Sequence, residues 1–252
     1  MDAKTAQLLC SINNDFYRKH CVSFSETRQL PWLGWTVCLD VLKTAHGNDC
    51  RALSIFDLAC GNLRFEAFLS SALPGATLTF HAVDNCDSLV PASTHVNYQS
   101  LDILDVLQQN QRIGDCLTAP ACDLAVAFGF MHHVPLQKYR EQILLSLVGQ
   151  THSGGYVLVS FWQFLNNEAM GKKARVVHER ARKELSVPEL NTGDYLLGWK
   201  NIPGAYRYCH SFSDAEIDQL IGSVAEKASL VSRFVSDGRT NNLNAYLILK
   251  VH

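Results

Sequence analysis

The stretch Ser54-Ile55-Phe56-Asp57-Leu58-Ala59-Cys60-Gly61-Asn62-Leu63-Arg64-Phe65 passes from an apolar run, through an acidic residue and a small-residue turn, into a helical pattern. A strand covered on both faces reads as such a run, and a tight strand-to-helix turn brings backbone close to a ligand at the strand's carboxyl end. Asp57 closes the run, so its carboxylate emerges at that edge, to organise the turn or meet the amino end of a zwitterionic ligand. Gly61 suits close approach or a positive φ. A dinucleotide fingerprint wants three glycines and a phosphate loop wants Gly-Lys-Ser/Thr. Neither is present. Leu63 stands where a diphosphate site prefers glycine, and no lysine follows.

Outward from this segment, short apolar runs alternate with helical stretches. Leu53–Asp57, Leu78–Asp84, Val96–Ser100, Cys122–Phe128 and Gly155–Phe161 read as strands, the last opened by the turn Ser153-Gly154-Gly155. Phe65–Ser71 and Leu136–Val148 read as helices between them. A further helix, Asp214–Ala225, has Ser213 or Ser211 as its cap, and strands near Ala228–Phe234 and Ala245–Val251 end the chain. The alternation predicts an α/β Rossmann-like fold: a mostly parallel seven-stranded sheet with helices on both faces, the terminal pair supplying an antiparallel edge. Ahead of it, residues 5–22 and a helix from Pro31 to about Ala45 form an N-terminal helical lid (1–48), closed by the break His46-Gly47-Asn48-Asp49. The main domain is 49–252. Within it, an inserted cap spans 163–212, helical over Asn166–Glu184 and then irregular and aromatic.

Composition bounds the partners. The 252 residues carry 22 Lys and Arg against 24 Asp and Glu, a net charge of -2, so nothing global attracts nucleic acid. One basic cluster, Lys172, Lys173, Arg175, Arg180, Arg182 and Lys183, reads equally as a phosphate contact or a solvated helix face. Nine cysteines show no CxxC pair and are expected to be reduced. No secretory leader and no membrane-length apolar run is seen, so a cytoplasmic protein is expected.

Two more acidic residues follow strand-like runs. Asp84 is placed to accept hydrogen bonds from both ribose hydroxyls and Asp102 from an exocyclic adenine amine. Singly, either is as readily an ordinary strand end or helix cap. In one ordered frame with Asp57, the three read as a nucleoside-binding edge.

On these motifs the chain resembles the class I S-adenosylmethionine-dependent methyltransferases over essentially its whole length. Asp57-Leu58-Ala59-Cys60-Gly61-Asn62 matches their strand-one motif, more often written with glycine at the positions of Ala59 and Leu63. Ala82-Val83-Asp84 matches the ribose motif, Asp123 to His133 the strand-four motif, and Gly154-Gly155-Tyr156-Val157-Leu158 the turn into strand five. The resemblance implies S-adenosyl-L-methionine as cofactor, S-adenosyl-L-homocysteine as product, and cofactor contacts from Arg28, Asp57, Ala59, Gly61, Asn62, Asp84, Asn85, Asp102, Ile103 and Phe128. A narrower likeness, in Phe24 to Trp32, Gly193-Asp194 with Trp199, Arg207 to Phe212, and Asn241 to Tyr246, is to the tRNA methyltransferases that esterify carboxymethyl-uridine at the wobble position. Bacterial proteins of unassigned substrate resemble the same pattern.

The acceptor residues follow from chemistry and stay open. Arg28 can clamp a carboxylate, of the methionine moiety or of the acceptor, or simply pair with Glu26. Arg207 can hold a carboxylate or phosphate, and His210 can hydrogen-bond or take a proton. Trp199 and Tyr208 offer flat faces, and one of His132-His133 faces the pocket. Adjacent histidines without a spaced acidic or cysteine partner predict no metal. The expected activity is methyl transfer to a carboxylate or other oxygen nucleophile, with modified tRNA or a small carboxylate as acceptor. A small-molecule enzyme of another acceptor class and a non-catalytic interaction protein are the rival readings; a nucleotide oxidoreductase is set aside for want of the glycines.

Overall fold

A computed structural model describes residues 1–46, 52–91 and 95–252. The strands are β1 (Ala52–Leu58), β2 (Thr77–Asp84), β3 (Asn97–Ser100), β4 (Cys122–Ala127), β5 (Thr151–Trp162), β6 (Asp194–Gly198), β7 (Tyr206–His210), β8 (Ala228–Ser236) and β9 (Asn244–Val251). Among the described residues seven of them form one sheet in the order β3-β2-β1-β4-β5-β9-β8. Pairing is parallel from β3 through β5, and β9 runs antiparallel to both its neighbours. The terminal pair therefore supplies the antiparallel edge, with β9 inside and β8 outermost. β9 is buried almost throughout and fits between two strands, whereas β8 exposes Leu230, Val231 and Val235.

Alternation along each strand feeds two cores. Ile55, Leu124, Val126 and Leu158 face Trp35, Cys38, Leu39 and Leu42 of α2 (Leu33–His46) and Phe65 and Leu69 of α3 (Arg64–Ala72). Phe56, Leu58, Ala125 and Val157 face the opposite layer, α4 (Ile103–Gln108), α5 (Ile113–Cys116), α6 (Gln137–Gly149) and α8 (Asp214–Val224). Thus α2 is a wall of the core. The break expected after His46, and with it the boundary at residue 48, lies outside the described residues. Ser213 rather than Ser211 caps α8, in a reciprocal capping box with Glu216.

β5 begins at Thr151, so the Ser153-Gly154-Gly155 turn lies inside the strand as a register shift against β4. Gly155 is required there, because a Cβ would sit 2.6 Å from the Asp123 carbonyl oxygen. The insertion holds α7 (Glu168–Glu184) and, where irregular chain was expected, the antiparallel hairpin β6–β7. Leu196, Tyr206 and Tyr208 of the hairpin pack with Ala181 of α7 and with Leu9 of α1 (Ala3–Ser25). No described helix is long and apolar enough to cross a membrane.

Candidate functional site

Strand order reverses between β1 and β4, and the crevice at such a point lies beyond the strands' carboxyl ends. There Asp57, Asp84 and Asp102 line one cleft. The turn after β1 forms its floor. Ala59 (φ 63°), Gly61 (56°) and Leu63 (56°) all adopt the left-handed conformation, so the two non-glycine residues keep a glycine-like turn. Each costs about 1–2 kcal/mol as an L-residue there. The Ala59 and Cys60 amides donate to the Val83 carbonyl at 2.7 and 3.1 Å, and the Leu63 side chain is buried beside Cys60 and Ala82.

Asp84 accepts from the Gly61 amide (2.9 Å) and the Cys86 amide (2.9 Å), one on each carboxylate oxygen, and each oxygen keeps capacity for a further donor. Asp102 differs. Its Oδ1 caps α4 by accepting from the Leu104 and Asp105 amides, while Oδ2 accepts from Asn14 (2.8 Å) and Asn85 (2.9 Å). Four donors saturate a carboxylate, so an exocyclic amine would have to displace one of these amides. Ile103 and Phe128 supply apolar wall on either side.

Asp57 is 4% exposed and faces Glu66 of α3, which is 3% exposed. Burial raises both, Asp57 well above the usual carboxylate range with the charge of Glu66 adding to it, and Glu66 to about 7. No cationic side chain among the described residues offsets the pair.

The segment joining α1 to α2 roofs the cleft. Asn62 donates to Ser25 Oγ (2.9 Å) and to the Arg28 carbonyl (3.2 Å), and Arg64 donates to the Leu30 carbonyl at 2.7 Å. The Arg64 guanidinium also lies over the rings of Trp32 and Trp35. The turn that forms the floor therefore also ties down the roof.

At the far end the cap meets α1. The Asn13 side-chain amide brackets the Tyr208 peptide, accepting from its N–H (2.7 Å) and donating to its carbonyl (3.2 Å). His133 Nδ1 donates to that carbonyl at 2.9 Å, which leaves Nε2 to accept from the Tyr17 hydroxyl at 2.8 Å. Burial, with Arg207 and Arg28 nearby, pushes His133 down to about 3. His132 also lines the cleft; its Nδ1 is buried without a partner, and burial holds it well below its ordinary value. His132, His133 and Cys209 bring ligand-type atoms within 4.8 Å of one another. A cation there would displace the two hydrogen bonds of His133 and face two guanidinium groups.

Those guanidiniums are the unusual feature. Arg207, 6% exposed, is caged by Phe16, Phe24 and Trp199 at 5.2–5.6 Å, and its Nη1 is buried with no partner. Arg28 stacks on the same Phe24 ring at 3.7 Å, and burial, then Arg207, lowers it to about 10. No carboxylate among the described residues pairs with either, so Arg28 is not held by Glu26.

Three expected acceptor contacts are otherwise employed. Tyr208 is fully buried and its hydroxyl donates to Asp194 at 2.6 Å, so it offers no stacking face. His210 points away from the cleft, with its ring nitrogens on Asp194 (2.7 Å) and Glu216 (2.9 Å) in a strut completed by Arg140. Trp199 is a wall behind Arg207, its indole N–H donating to Ser23 at 3.1 Å. Glu66, Arg64, Asn13 and Tyr17 were not singled out from the sequence. Glu66, next to Phe65 at the start of α3, is the signal available for a buried acid.

No family model and no curated protein matches the chain. Solved structures do. A SAM-dependent methyltransferase of Methanosarcina mazei is 16% identical at a TM-score of 0.58, over 82% of this chain and 96% of its own. The Burkholderia thailandensis 1,6-didemethyltoxoflavin-N1-methyltransferase, solved with 1,6-didemethyltoxoflavin and S-adenosylhomocysteine, is 14% identical at 0.55, over 94% and 86%. An S-adenosylmethionine-dependent methyltransferase of Clostridium acetobutylicum is 9% identical at 0.55, over 94% and 98%. The fold is that of the class I methyltransferases. At these identities the likeness is one of fold, and the site has to be argued from its own residues.

The residues of this methyltransferase fold fit S-adenosylmethionine. The uncompensated Asp57–Glu66 pair suits an ammonium, Asp84 retains capacity for two hydroxyl donors, and the left-handed turn of the floor is followed by Arg64, which lines the cleft and suits a carboxylate.

Proposed function

We propose that the chain is an S-adenosyl-L-methionine-dependent methyltransferase whose acceptor is a carboxylate. The observation that carries the acceptor reading is the caged pair Arg28 and Arg207. A buried guanidinium with an unpartnered Nη1 and no acid beside it is costly unless an anion completes it. When bound, the cofactor supplies an electrophilic methyl group on a sulfonium. Asp84 would hold the ribose, Asp57 with Glu66 the ammonium, and Arg64 or Arg28 the methionine carboxylate. Arg207 and Arg28 would orient the acceptor in a fork geometry suited to two oxygens.

A carboxylate is ionised at neutral pH and asks for no general base. That agrees with His132 and His133, which burial keeps neutral and poorly basic. The remaining work is alignment, for which a rigid aromatic cage and a pinned roof are suited. The likeness to the carboxymethyl-uridine enzymes supports modified tRNA as the carrier of that carboxylate, with exposed Lys173, Arg175 and Lys183 of α7 as phosphate contacts. A small carboxylic acid is the second reading. It is favoured by Lys172 and Arg180, which spend their charge on Glu168 and Glu184 of the same helix.

The test incubates the chain with methyl-labelled cofactor and either tRNA bearing carboxymethyl-uridine or a panel of small carboxylic acids. Methyl-ester label that is released by mild alkali is expected. Alkali-stable label would overturn the carboxylate acceptor, and absence of cofactor binding by calorimetry would overturn the enzyme.

A further inference from the structure

Two thiols, one on α1 and one on the loop after β2, meet at one hydroxyl. Cys21 belongs to α1, in the roof; Cys86 belongs to the loop after β2, in the floor, and lines the cleft. Ser88 Oγ donates to Cys21 Sγ at 3.2 Å and lies 3.4 Å from Cys86 Sγ. The short helical turn Asp87–Leu89 that carries Ser88 packs against α1. Cys86 is partly exposed and Cys21 is 7% exposed, so solvent reaches one partner and the other waits behind it.

We propose that Cys21 and Cys86 form an oxidisable pair whose disulfide staples the roof to the ribose loop. The oxidant is a hydroperoxide. Cys86 sulfur attacks a peroxide oxygen, giving a sulfenic acid and one water. Cys21 sulfur then attacks that sulfenic sulfur and expels a second water, so two thiols and one hydrogen peroxide become one disulfide and two waters. Ser88 must rotate out of the space between the sulfurs, and the bridging hydroxyl is thus the gate to the reaction.

The site belongs to Cys86 for a reason of position. Its amide N–H is one of the two that hold the Asp84 carboxylate, so a bond at its side chain fixes the floor residue that faces the ribose. Burial pushes the Cys86 thiol up while Ser88 pulls it down, which makes the pair slow to react near neutral pH and faster in mild alkali. A link between α1 and this loop would also limit how far the roof can lift. That last consequence rests on the cofactor reading above; the bond itself does not.

The full-length chain is treated with hydrogen peroxide at pH 8, quenched by alkylation, and mapped by mass spectrometry, with Cys21→Ser and Ser88→Ala alongside. A linked peptide joining Cys21 to Cys86, lighter by two hydrogens and reversed by dithiothreitol, is expected. Ser88→Ala should raise its yield several-fold, and Cys21→Ser should instead stop Cys86 at the sulfenic acid, trapped by dimedone. Linkage of Cys86 to any other cysteine, or its direct conversion to sulfinic acid in the wild type, would overturn the pairing. For the linked protein, release of radiolabelled S-adenosylhomocysteine should slow about tenfold. Unchanged release beside a clear linked peptide would overturn the staple, and failure of the reduced protein to bind at all would indict the cofactor reading instead.

Discussion

Floor and roof of the cleft are held by different kinds of interaction. The floor is backbone: a left-handed turn, strand-end carbonyls and two amides on Asp84 set it within one β-α-β unit. The roof and the cap beyond it are held by side chains: Asn13 reaches Tyr208, Tyr17 reaches His133, and Trp199 reaches Ser23, across 195, 116 and 176 positions of sequence respectively. Each half also leaves one charge type uncompensated, carboxyls below and guanidiniums above. A zwitterionic ligand followed by an anionic acceptor would complete both. The difference teaches that Glu66 below and Arg207 above can be altered separately, while Asn62 and Arg64 of the floor still tie down the roof.

The largest expected effect is on the floor and depends on pH. Glu66 titrates at about 7 in the folded chain against 4.5 unfolded. The folded state therefore holds its proton more tightly. Its stabilising contribution is complete below pH 4.5 and is lost as pH rises toward 7, amounting to about 3 kcal/mol at most. Urea unfolding across that window should show a decline that is shallower in Glu66→Gln and recovered when cofactor is added. An identical slope in the variant would remove the buried carboxyl pair from the account.

On the roof, Arg207→Met should lower turnover about 100-fold and leave cofactor affinity within about twofold. Removing a caged, unpartnered cation should at the same time raise the melting temperature, because the charge is kept against its desolvation penalty. Loss of activity together with lower stability would mean that Arg207 is structural. Next in size, Asp84→Ala leaves the Gly61 and Cys86 amides without their acceptor and removes the proposed ribose contact. Cofactor affinity by calorimetry should fall about tenfold, the scale of one buried hydrogen-bond partner. Equal affinity would detach Asp84 from the ligand.

The same contrast explains what the sequence disclosed. Floor residues follow from apolar runs of fixed period ending in Asp57 and Asp84, so their edge and face are legible before any coordinates. Asp102 shows the limit: its position was readable, but its saturation by Asn14 and Asn85 comes from α1 and from the neighbouring loop. Roof residues gave only residue types. Nothing local to Tyr206-Arg207-Tyr208-Cys209-His210 says that β7 pairs with β6 and sends alternate side chains into the Phe24 cage and into the Asp194 strut. His210 and Tyr208 were read as site residues for their chemistry, and long-range partners claimed them. Which strand of the terminal pair lies outermost is not legible for the same reason, since burial across the sheet chooses the neighbours of β9.

The smallest effect tests whether the floor is truly a backbone device. Ala59 and Leu63 both carry left-handed strain, but only Leu63 repays it, with a side chain that is 7% exposed among Cys60 and Ala82. Ala59→Gly should therefore stabilise the chain by up to about 1 kcal/mol, strain relief of about 1–2 kcal/mol being offset in part by the greater freedom of glycine in the unfolded state. Leu63→Gly gains the same relief and forfeits a buried leucine worth about 2–3 kcal/mol, so it should destabilise by about 1–2 kcal/mol. Opposite signs in paired denaturation curves are the expected result. If both substitutions stabilised, the turn would owe nothing to Leu63 packing; if both destabilised, the left-handed turn would not be strained and the chain would have given up nothing in departing from glycine.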